Sequence, residues 1–154
     1  MKKLSIFLAL STMLIDQLTK FLVVENFSEN LTIIKLSNFL NLVLVYNRGI
    51  SFGLFNGIDY SNNIFSLVSL IIIGFLLKWL KNSAILVESI ALGLIIGGAF
   101  GNVLDRIFRS GVVDFIQLHW EGYYWPNFNV ADSAICLGVI ILTILSIDFK
   151  RKQK

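Results

Sequence analysis

The sequence predicts an all-α integral membrane protein with four transmembrane helices and a small β-rich extracytoplasmic segment. Its 154 residues are 56% hydrophobic and only 15% charged, whereas soluble domains contain about 25% charged residues. The apolar residues are concentrated in four stretches, each close to the roughly 20 residues that a helix needs to cross a bilayer core. These features argue against a disordered chain, a nucleic-acid-binding protein and a disulfide scaffold, and the length fits a single membrane domain, 1–154.

Each span is identified from an apolar run that is uninterrupted or nearly so. The second span contains the uncharged run 64–77, and the third is interrupted only by Glu88. The first span is less regular because Asp16 and Lys20 lie within it, and its basic start and apolar run also fit a cleaved signal peptide. A retained helix is favoured because no small-residue cleavage site follows. The predicted spans are about 4–24, 62–80, 84–105 and 129–148, and the outer segments are about 25–61 and 106–128.

The distribution of basic residues predicts the orientation of the chain. Eight of its 13 lysines and arginines lie in three short clusters, and such clusters mark the cytoplasmic ends of membrane spans. Four spans place all three clusters on one side, so both termini and the link between the second and third spans are predicted to be cytoplasmic. The clusters are Lys2 and Lys3; Lys78 and Lys81; and Lys150, Arg151, Lys152 and Lys154.

The two outer segments are unusually apolar for loops. Residues 31–46 are rich in β-branched and apolar side chains, interrupted by Lys35, Asn38 and Asn41, a pattern that predicts strands near the membrane surface. The second outer segment carries aromatic side chains suited to the headgroup layer, which could anchor the protein or contact a substrate. These are Trp120, Tyr123, Tyr124 and Trp125.

The sequence does not contain the residue sets of most proteases. A zinc site needs several His or Cys ligands, but His119 is the only histidine and Cys136 the only cysteine. His119 is interpreted as an interfacial side chain because no serine motif is near it. Cys136 is interpreted as packing inside the fourth helix, so inactivation by thiol reagents is not expected. No metal site and no cofactor are predicted.

Two acids at the predicted outer boundary are candidates for chemistry. Asp114 has only apolar immediate neighbours, and Asp132 lies at the head of the fourth span. Asp132 could simply cap that helix. Alternatively, two carboxyls in a dry site share a proton because both cannot ionise cheaply. The charged carboxyl could then activate water while its protonated partner polarises a carbonyl, as in aspartic proteases.

Other polar residues near the predicted boundary have structural and functional interpretations. Asp16 and Lys20 are one helical turn apart and can neutralise each other. Asn102, Asp105 and Arg106 occupy one helical face, which is compatible with a salt-bridge cluster, a headgroup site or catalysis. Small residues at every fourth position of the third span predict close helix packing. These are Gly93, Gly97 and Gly101.

Five short motifs occur in an order that resembles the bacterial lipoprotein signal peptidases, also called signal peptidase II. The resemblance extends from the first predicted helix to the fourth. Each motif is weak alone, but five in order within four spans are specific. The motifs are DQLTK at 16–20, NRGISFG at 47–53, GGAFGNVLDR at 97–106, VVDF at 112–115 and FNVADS at 128–133.

The resemblance implies a multi-pass aspartic endopeptidase of the bacterial inner membrane, with its active site at the outer face. It would remove the signal peptide of prolipoproteins immediately before a diacylglyceryl-modified cysteine, with Asp114 and Asp132 as the catalytic pair. Implied partners are these prolipoproteins and membrane lipids, and we expect a monomer without nucleic acid. The implied substrate-binding or supporting residues are Asp16, Lys20, Asn47, Gly49, Asn102, Asp105, Arg106, Asn129 and Ala131.

The sequence departs from the family pattern at one place, and it is also compatible with one rival function. The family usually has Gly-Ala-Ala where this chain has Gly49, Ile50 and Ser51, which affects the expected shape of the pocket. The rival is a small four-helix transporter coupled to protons or cations. Transporter acids tend to lie near the bilayer midplane, whereas here Asp114 and Asp132 lie at the predicted outer boundary and Glu88 lies near the cytoplasmic end of its span.

Overall fold

A computed structural model of the chain describes residues 2–27, 33–49, 60–109 and 111–151. Each of its four helices is long and apolar enough to cross a membrane, and each overlaps one of the four predicted spans. The protein is therefore a multi-pass membrane protein with a small antiparallel sheet. The elements are α1 (Lys2–Asn26), β1 (Ile33–Lys35), β2 (Leu40–Asn47), α2 (Ser61–Asn82), α3 (Leu86–Phe108), β3 (Val112–Trp120), β4 (Tyr123–Tyr124) and α4 (Val130–Arg151).

Helix α3 is the centre of the helix bundle, since it packs against α1, α2 and α4. Its small residues permit this arrangement, as the sequence predicted. A Cβ on Gly93 would lie 2.7 Å from the backbone oxygen of Ser5, and one on Gly97 would overlap the backbone oxygen of Ala9. Glycine at these positions lets the α1 backbone approach α3 directly, which is the packing role of small residues in membrane helices.

The four strands form one antiparallel sheet in the order β1-β2-β3-β4. Strand β1 lies within the region predicted to be strands, 31–46, and β2 ends one residue beyond it, but β3 was not predicted. Its sequence does not alternate cleanly between polar and apolar residues because Asp114 interrupts an apolar run. Pairing with β2, in which Val45 opposes Asp114, supplies the long-range support that the sequence pattern does not reveal.

Backbone pairing fixes the start of α4 against β3. The Ile116 N–H donates to Phe128 O at 2.9 Å, and the Phe128 N–H donates to Ile116 O at 3.1 Å. The β3–β4 hairpin turns through Glu121 and Gly122, both with positive φ, as tight hairpins require. Its aromatic side chains are exposed, and the His119 ring stacks on Tyr124 at 5.5 Å between centroids.

The prediction that Cys136 packs inside the bundle is wrong, because Cys136 is exposed. Helix α4 packs on α3 through another face, where a Cβ on Gly138 would lie 2.5 Å from Ile95. In a membrane protein the apolar residues of a helix face lipid as readily as protein. The apolar neighbours of Cys136 in the sequence therefore did not distinguish the two surroundings.

Candidate active site

Asp114 lies on β3 and is almost completely buried, with 3% of the residue exposed. Its two oxygens each accept a hydrogen bond, at 3.0 Å from the Asn47 amide and at 2.8 Å from the Asn129 amide. Burial and then the charge of Asp132 raise the pKa of Asp114 to about 7, against the opposing effect of the two amide donors. Both protonation states of this carboxyl are therefore populated near neutral pH.

Asp132 lies in the first turn of α4 and forms a reciprocal cap with Asn129. The Asp132 N–H donates to Asn129 Oδ1 at 2.9 Å, and the Asn129 N–H donates to Asp132 Oδ2 at 3.3 Å, as in a capping box. The capping role considered from the sequence is therefore present. It involves only Oδ2, because Oδ1 accepts a hydrogen bond at 2.8 Å from the Asn102 amide.

Asn129 is the residue that joins the two acids. It is completely buried, and its side-chain nitrogen donates to Asp114 while its backbone N–H donates to Asp132. The same side-chain nitrogen lies 3.3 Å from Asn102 Oδ1 and 3.3 Å from Val113 O. Two carboxyls from separate elements thus lie beside one asparagine, in a network that continues into α3.

Lys20 is completely buried on α1, and its ammonium group has three partners. Its Nζ lies 2.8 Å from Asp16 Oδ2, 2.6 Å from Asp105 Oδ2 and 3.0 Å from Asn102 Oδ1. The predicted pair of Asp16 and Lys20 is present, and α3 supplies the two further partners. Because Asn102 also donates to Asp132, Lys20 contacts the acid pair through one intervening side chain.

Asp16 connects α1 to the start of α4. Its Oδ1 accepts the Ala131 N–H at 2.9 Å, one of the amides that have no partner within the first turn of a helix. A carboxylate is favourable at this end of a helix because of the helix dipole. A Cβ on Gly101 would lie 2.5 Å from Asp16 Oδ2, so glycine there leaves room for the carboxylate.

Asp105 fixes the start of β3, and it is held in place by Arg109, which follows it by one helical turn, and by Gln17, which was not among the predicted site residues. Its Oδ2 accepts the Val113 N–H at 3.1 Å, directly before Asp114 in the chain. Its Oδ1 accepts hydrogen bonds from Gln17 and Arg109. The position of Gln17, a polar residue within the first apolar stretch, is the signal that could have identified it.

Arg106 and Gly49 are joined to each other at the edge of this network. Arg106 Nη2 donates to Gly49 O at 3.0 Å, which ties the chain after β2 to the outer end of α3. Arg106 also lies within electrostatic reach of both Asp114 and Asp132. Ile50 and Ser51, which depart from the family pattern, lie outside the residues that the structure describes.

Glu88 lies apart from this site, near the α2–α3 link. Its carboxyl accepts hydrogen bonds from the Trp79 indole, at 3.0 Å, and from the Ser83 hydroxyl. It therefore has local partners at the opposite end of α3 from Asp105. Within the ranges that the structure describes, no group of three or more His, Cys, Asp or Glu could hold a metal ion.

The chain matches a protein-family model over most of its length. The family model described as signal peptidase (SPase) II matches residues 8–148. A lipoprotein signal peptidase of Thermodesulfovibrio yellowstonii is 42% identical over 139 residues, covering 90% of this chain and 88% of the relative. A lipoprotein signal peptidase of Pseudoalteromonas atlantica is 39% identical over 142 residues, covering 90% and 86% of the two chains.

Solved structures of bacterial membrane enzymes have the same fold. One, determined by the in meso method at 2.3 Å resolution, has a TM-score of 0.88 and 30% sequence identity, and the match covers 99% of this chain and 92% of that one. Another, at 1.9 Å resolution, has a TM-score of 0.83 and 29% identity, with 93% and 92% coverage.

Proposed function

Because this chain belongs to the signal peptidase II family, we propose that it removes signal peptides from prolipoproteins as an aspartic endopeptidase. Asp114 and Asp132 are its catalytic pair, and it cuts immediately before the diacylglyceryl-modified cysteine. The observation that carries the proposal is the hydrogen bonding of both acids to the buried Asn129. The transporter alternative has no such support, since Glu88 is bound to local partners.

We assign different protonation states to the two acids. Asp114, whose pKa of about 7 leaves both of its forms populated near neutral pH, carries the shared proton in the proposed resting enzyme. Asp132 lies at a helix N-terminus, where the dipole favours an anion, and accepts N–H donors on both oxygens. This division provides one acid and one base within a single site, as general acid–base catalysis requires.

In the proposed reaction, Asp132 takes a proton from a water molecule whose oxygen attacks the carbonyl carbon of the scissile bond. Asp114 gives its proton to the carbonyl oxygen, so that a neutral tetrahedral diol forms. Collapse of this diol breaks the C–N bond, and the amine of the leaving cysteine takes the proton held by Asp132. Asp114 regains its proton from the diol as the carboxylic acid product forms, which restores the starting state.

The surrounding residues keep the pair in position. Asn47 and Asn129 hold the two oxygens of Asp114, and Asn102 holds Asp132. The remaining residues do not hydrogen-bond to the two acids themselves. They hold the surrounding structure in place through the ion-pair cluster, the first turn of α4 and the chain after β2. These supporting residues are Asp16, Lys20, Asp105, Ala131, Arg106 and Gly49.

We further propose that the protein is a monomer of the bacterial inner membrane with both termini in the cytoplasm. The three basic clusters support this orientation, which puts the sheet and the acid pair at the outer face. A lipid-modified substrate stays in the bilayer, so its protease needs the acids at a membrane boundary that water can reach. The exposed aromatic hairpin fits contact with the headgroup layer.

The direct test is to incubate the purified protein with a diacylglyceryl-modified prolipoprotein and to sequence the products. Cleavage immediately before the modified cysteine is expected. Asp114→Asn and Asp132→Asn preserve side-chain size but remove the exchangeable carboxyl proton, and we expect losses approaching about 10⁴-fold in kcat. Glu121→Gln is the matched control because Glu121 lies in the exposed hairpin turn.

A clear result depends on folded variants. The Asp114→Asn variant should match the wild type in thermal unfolding and in gel filtration. The Asp132→Asn variant should match it in gel filtration and differ in thermal unfolding only by the contribution of the altered cap. Activity within tenfold of wild type in either variant would remove that residue from the catalytic pair. If Glu121→Gln lost as much activity as Asp114→Asn and Asp132→Asn, the assay would be measuring damage to the protein and not the loss of a catalytic carboxyl.

Orientation is tested with reporter fusions at three positions. Reporters near Asn82 and after Lys154 are expected to give cytoplasmic signals, and one near Asn56 an outside signal. An outside signal near Asn82 would contradict the proposed topology without affecting the proposed chemistry.

A further inference from the structure

The segment that carries Asp132 is held by a carboxylate of α1. The Ala131 N–H, directly before Asp132 in the chain, donates to Asp16 Oδ1 at 2.9 Å. Ala131 and Asp16 are both completely buried, so water does not compete for this bond. Asp16 therefore fixes where the start of α4 lies relative to α1.

The segment that carries Asp114 is held in the same way by a carboxylate of α3. The Val113 N–H, directly before Asp114 in the chain, donates to Asp105 Oδ2 at 3.1 Å. Val113 and Asp105 are completely buried as well. In both segments the bond reaches the backbone one residue before the acid, so a movement of the supporting carboxylate moves the acid with it.

Lys20 is the group that ties these two supporting carboxylates together. Its Nζ lies 2.8 Å from Asp16 Oδ2 and 2.6 Å from Asp105 Oδ2. Its third contact, 3.0 Å to Asn102 Oδ1, leads to Asp132, because the Asn102 amide nitrogen donates to Asp132 Oδ1 at 2.8 Å. An ammonium group has three N–H donors and no acceptor, so these three contacts match its full hydrogen-bonding capacity.

The positive charge of Lys20 contributes to this arrangement together with its hydrogen bonds. Two buried carboxylates that lie close to each other repel, and an opposite charge between them favours their charged forms. The Gln17 side-chain nitrogen also lies 3.3 Å from Asp16 Oδ2 and 3.0 Å from Asp105 Oδ1, but an amide brings no charge. Without Lys20 we expect the two carboxylates to move apart, together with the segments that are bonded to them.

We propose that Lys20 is a positioning residue that sets the separation between Asp114 and Asp132. The inference rests on the proposed function, in which both acids act on one peptide bond and one water molecule. Catalytic groups must be held within about 0.5 Å of their productive positions, and a misplacement of about 1 Å can cost about 100-fold in rate. Lys20 is completely buried, so it acts through the groups that hold the acids.

The test measures kcat and KM on a diacylglyceryl-modified prolipoprotein in phospholipid vesicles for the wild type, Lys20→Met and Lys20→Met/Asp16→Asn. The double variant has no charge imbalance in the cluster, and the introduced amide still has an oxygen for the Ala131 N–H. We expect kcat to fall about 100-fold in both variants, while KM changes by less than about threefold because the substrate contacts remain. Each protein is assayed at its own pH optimum, so that the loss of a positive charge near the acids does not by itself lower the measured kcat.

The double variant separates positioning from stability. It is expected to regain a large part of the unfolding free energy that Lys20→Met loses, but not the lost kcat. A residue that only stabilises the fold would regain both. Lys78→Met, at an exposed lysine of α2, is the matched control and is expected to keep the wild-type kcat and KM.

A second measurement does not depend on activity. It is the rate of amide hydrogen exchange at Val113 relative to that at Leu92, a completely buried residue nearer the opposite end of α3. The partner of Val113, Asp105, is unchanged in both variants. We expect this ratio to rise about tenfold in the double variant, the effect of losing about one hydrogen bond.

The possible outcomes separate this inference from the proposed function. If the wild type does not cleave the substrate, the proposed function is wrong and this inference is overturned with it. If the wild type cleaves and the double variant has a kcat within about threefold of it, or an unchanged exchange ratio at Val113, Lys20 supports only the fold and the inference is overturned alone. A rise in KM at unchanged kcat would mean that Lys20 acts on substrate binding, and would overturn it as well.

Discussion

Replacing Lys20 with methionine tests how the buried ion-pair cluster supports the fold. Lys20 is completely buried, and its ammonium group lies 2.8 Å from Asp16 and 2.6 Å from Asp105. Together with Arg109, these residues form a cluster of two anions and two cations. Lys20→Met fills a similar volume but leaves the cluster with one uncompensated negative charge.

The expected loss of unfolding free energy is large because the remaining carboxylates stay buried. Removing one partner of a buried ion pair costs about 3–5 kcal/mol, and Lys20 serves two carboxylates and the Asn102 amide. We therefore expect a value near the upper end, about 5 kcal/mol. The double variant Lys20→Met/Asp16→Asn retains the Asp105–Arg109 pair without an unpaired charge, so it should recover a large part of that loss.

The assay is denaturant unfolding in mixed micelles, followed by circular dichroism, at neutral pH. Lys78→Met, an exposed lysine of α2, is the control and should change the unfolding free energy by about 0.5 kcal/mol or less. A Lys20→Met loss below about 1 kcal/mol would mean that the ion pairs contribute little net stability. A double variant as unstable as the single one would refute charge imbalance as the cause.

Two further predictions concern the pH dependence of activity and the packing of the helices. If Asp114 must carry the proton, kcat/KM should fall as pH rises above about 7; Asn47→Ala removes an amide donor that lowers this pKa, so the midpoint should move to higher pH in a pH–rate profile. A shift to lower pH would contradict the proposed protonation. Gly97→Ala should cost about 1–3 kcal/mol in unfolding because its methyl group meets the Ala9 backbone. Gly74→Ala, with nothing within 4 Å, should be neutral or stabilising by up to about 1 kcal/mol.

Features that depend on neighbouring positions in the sequence were predicted well. The pairing of Asp16 with Lys20 follows from a separation of four residues on a helix, and the glycines of α3 follow from their own spacing. The cap at Asp132 also lies within one turn and was considered as an alternative. Such interactions can be identified because both partners belong to one helix, whatever that helix packs against.

Features that depend on contacts between distant segments were not predicted. Strand β3 exists because β2 pairs with it, and Asp105 has partners on α1 and on β3. The exposure of Cys136 depends on which face of α4 meets α3. In each case the local sequence is compatible with more than one structural environment, and only the packing of distant segments determines which environment the residue has.

The charged cluster also has a consequence for the order in which the chain is made and inserted. An isolated charge enters a bilayer at a considerable cost in free energy. Helix α1 carries Asp16 and Lys20 one turn apart, so their charges cancel within this helix before any other helix packs against it. Helix α3 likewise carries Asp105 and Arg109 one turn apart. Each helix can therefore enter the membrane with its own counterion. When the two helices meet, Lys20 gains Asp105 as a second partner, and four charges combine without any change in their sum.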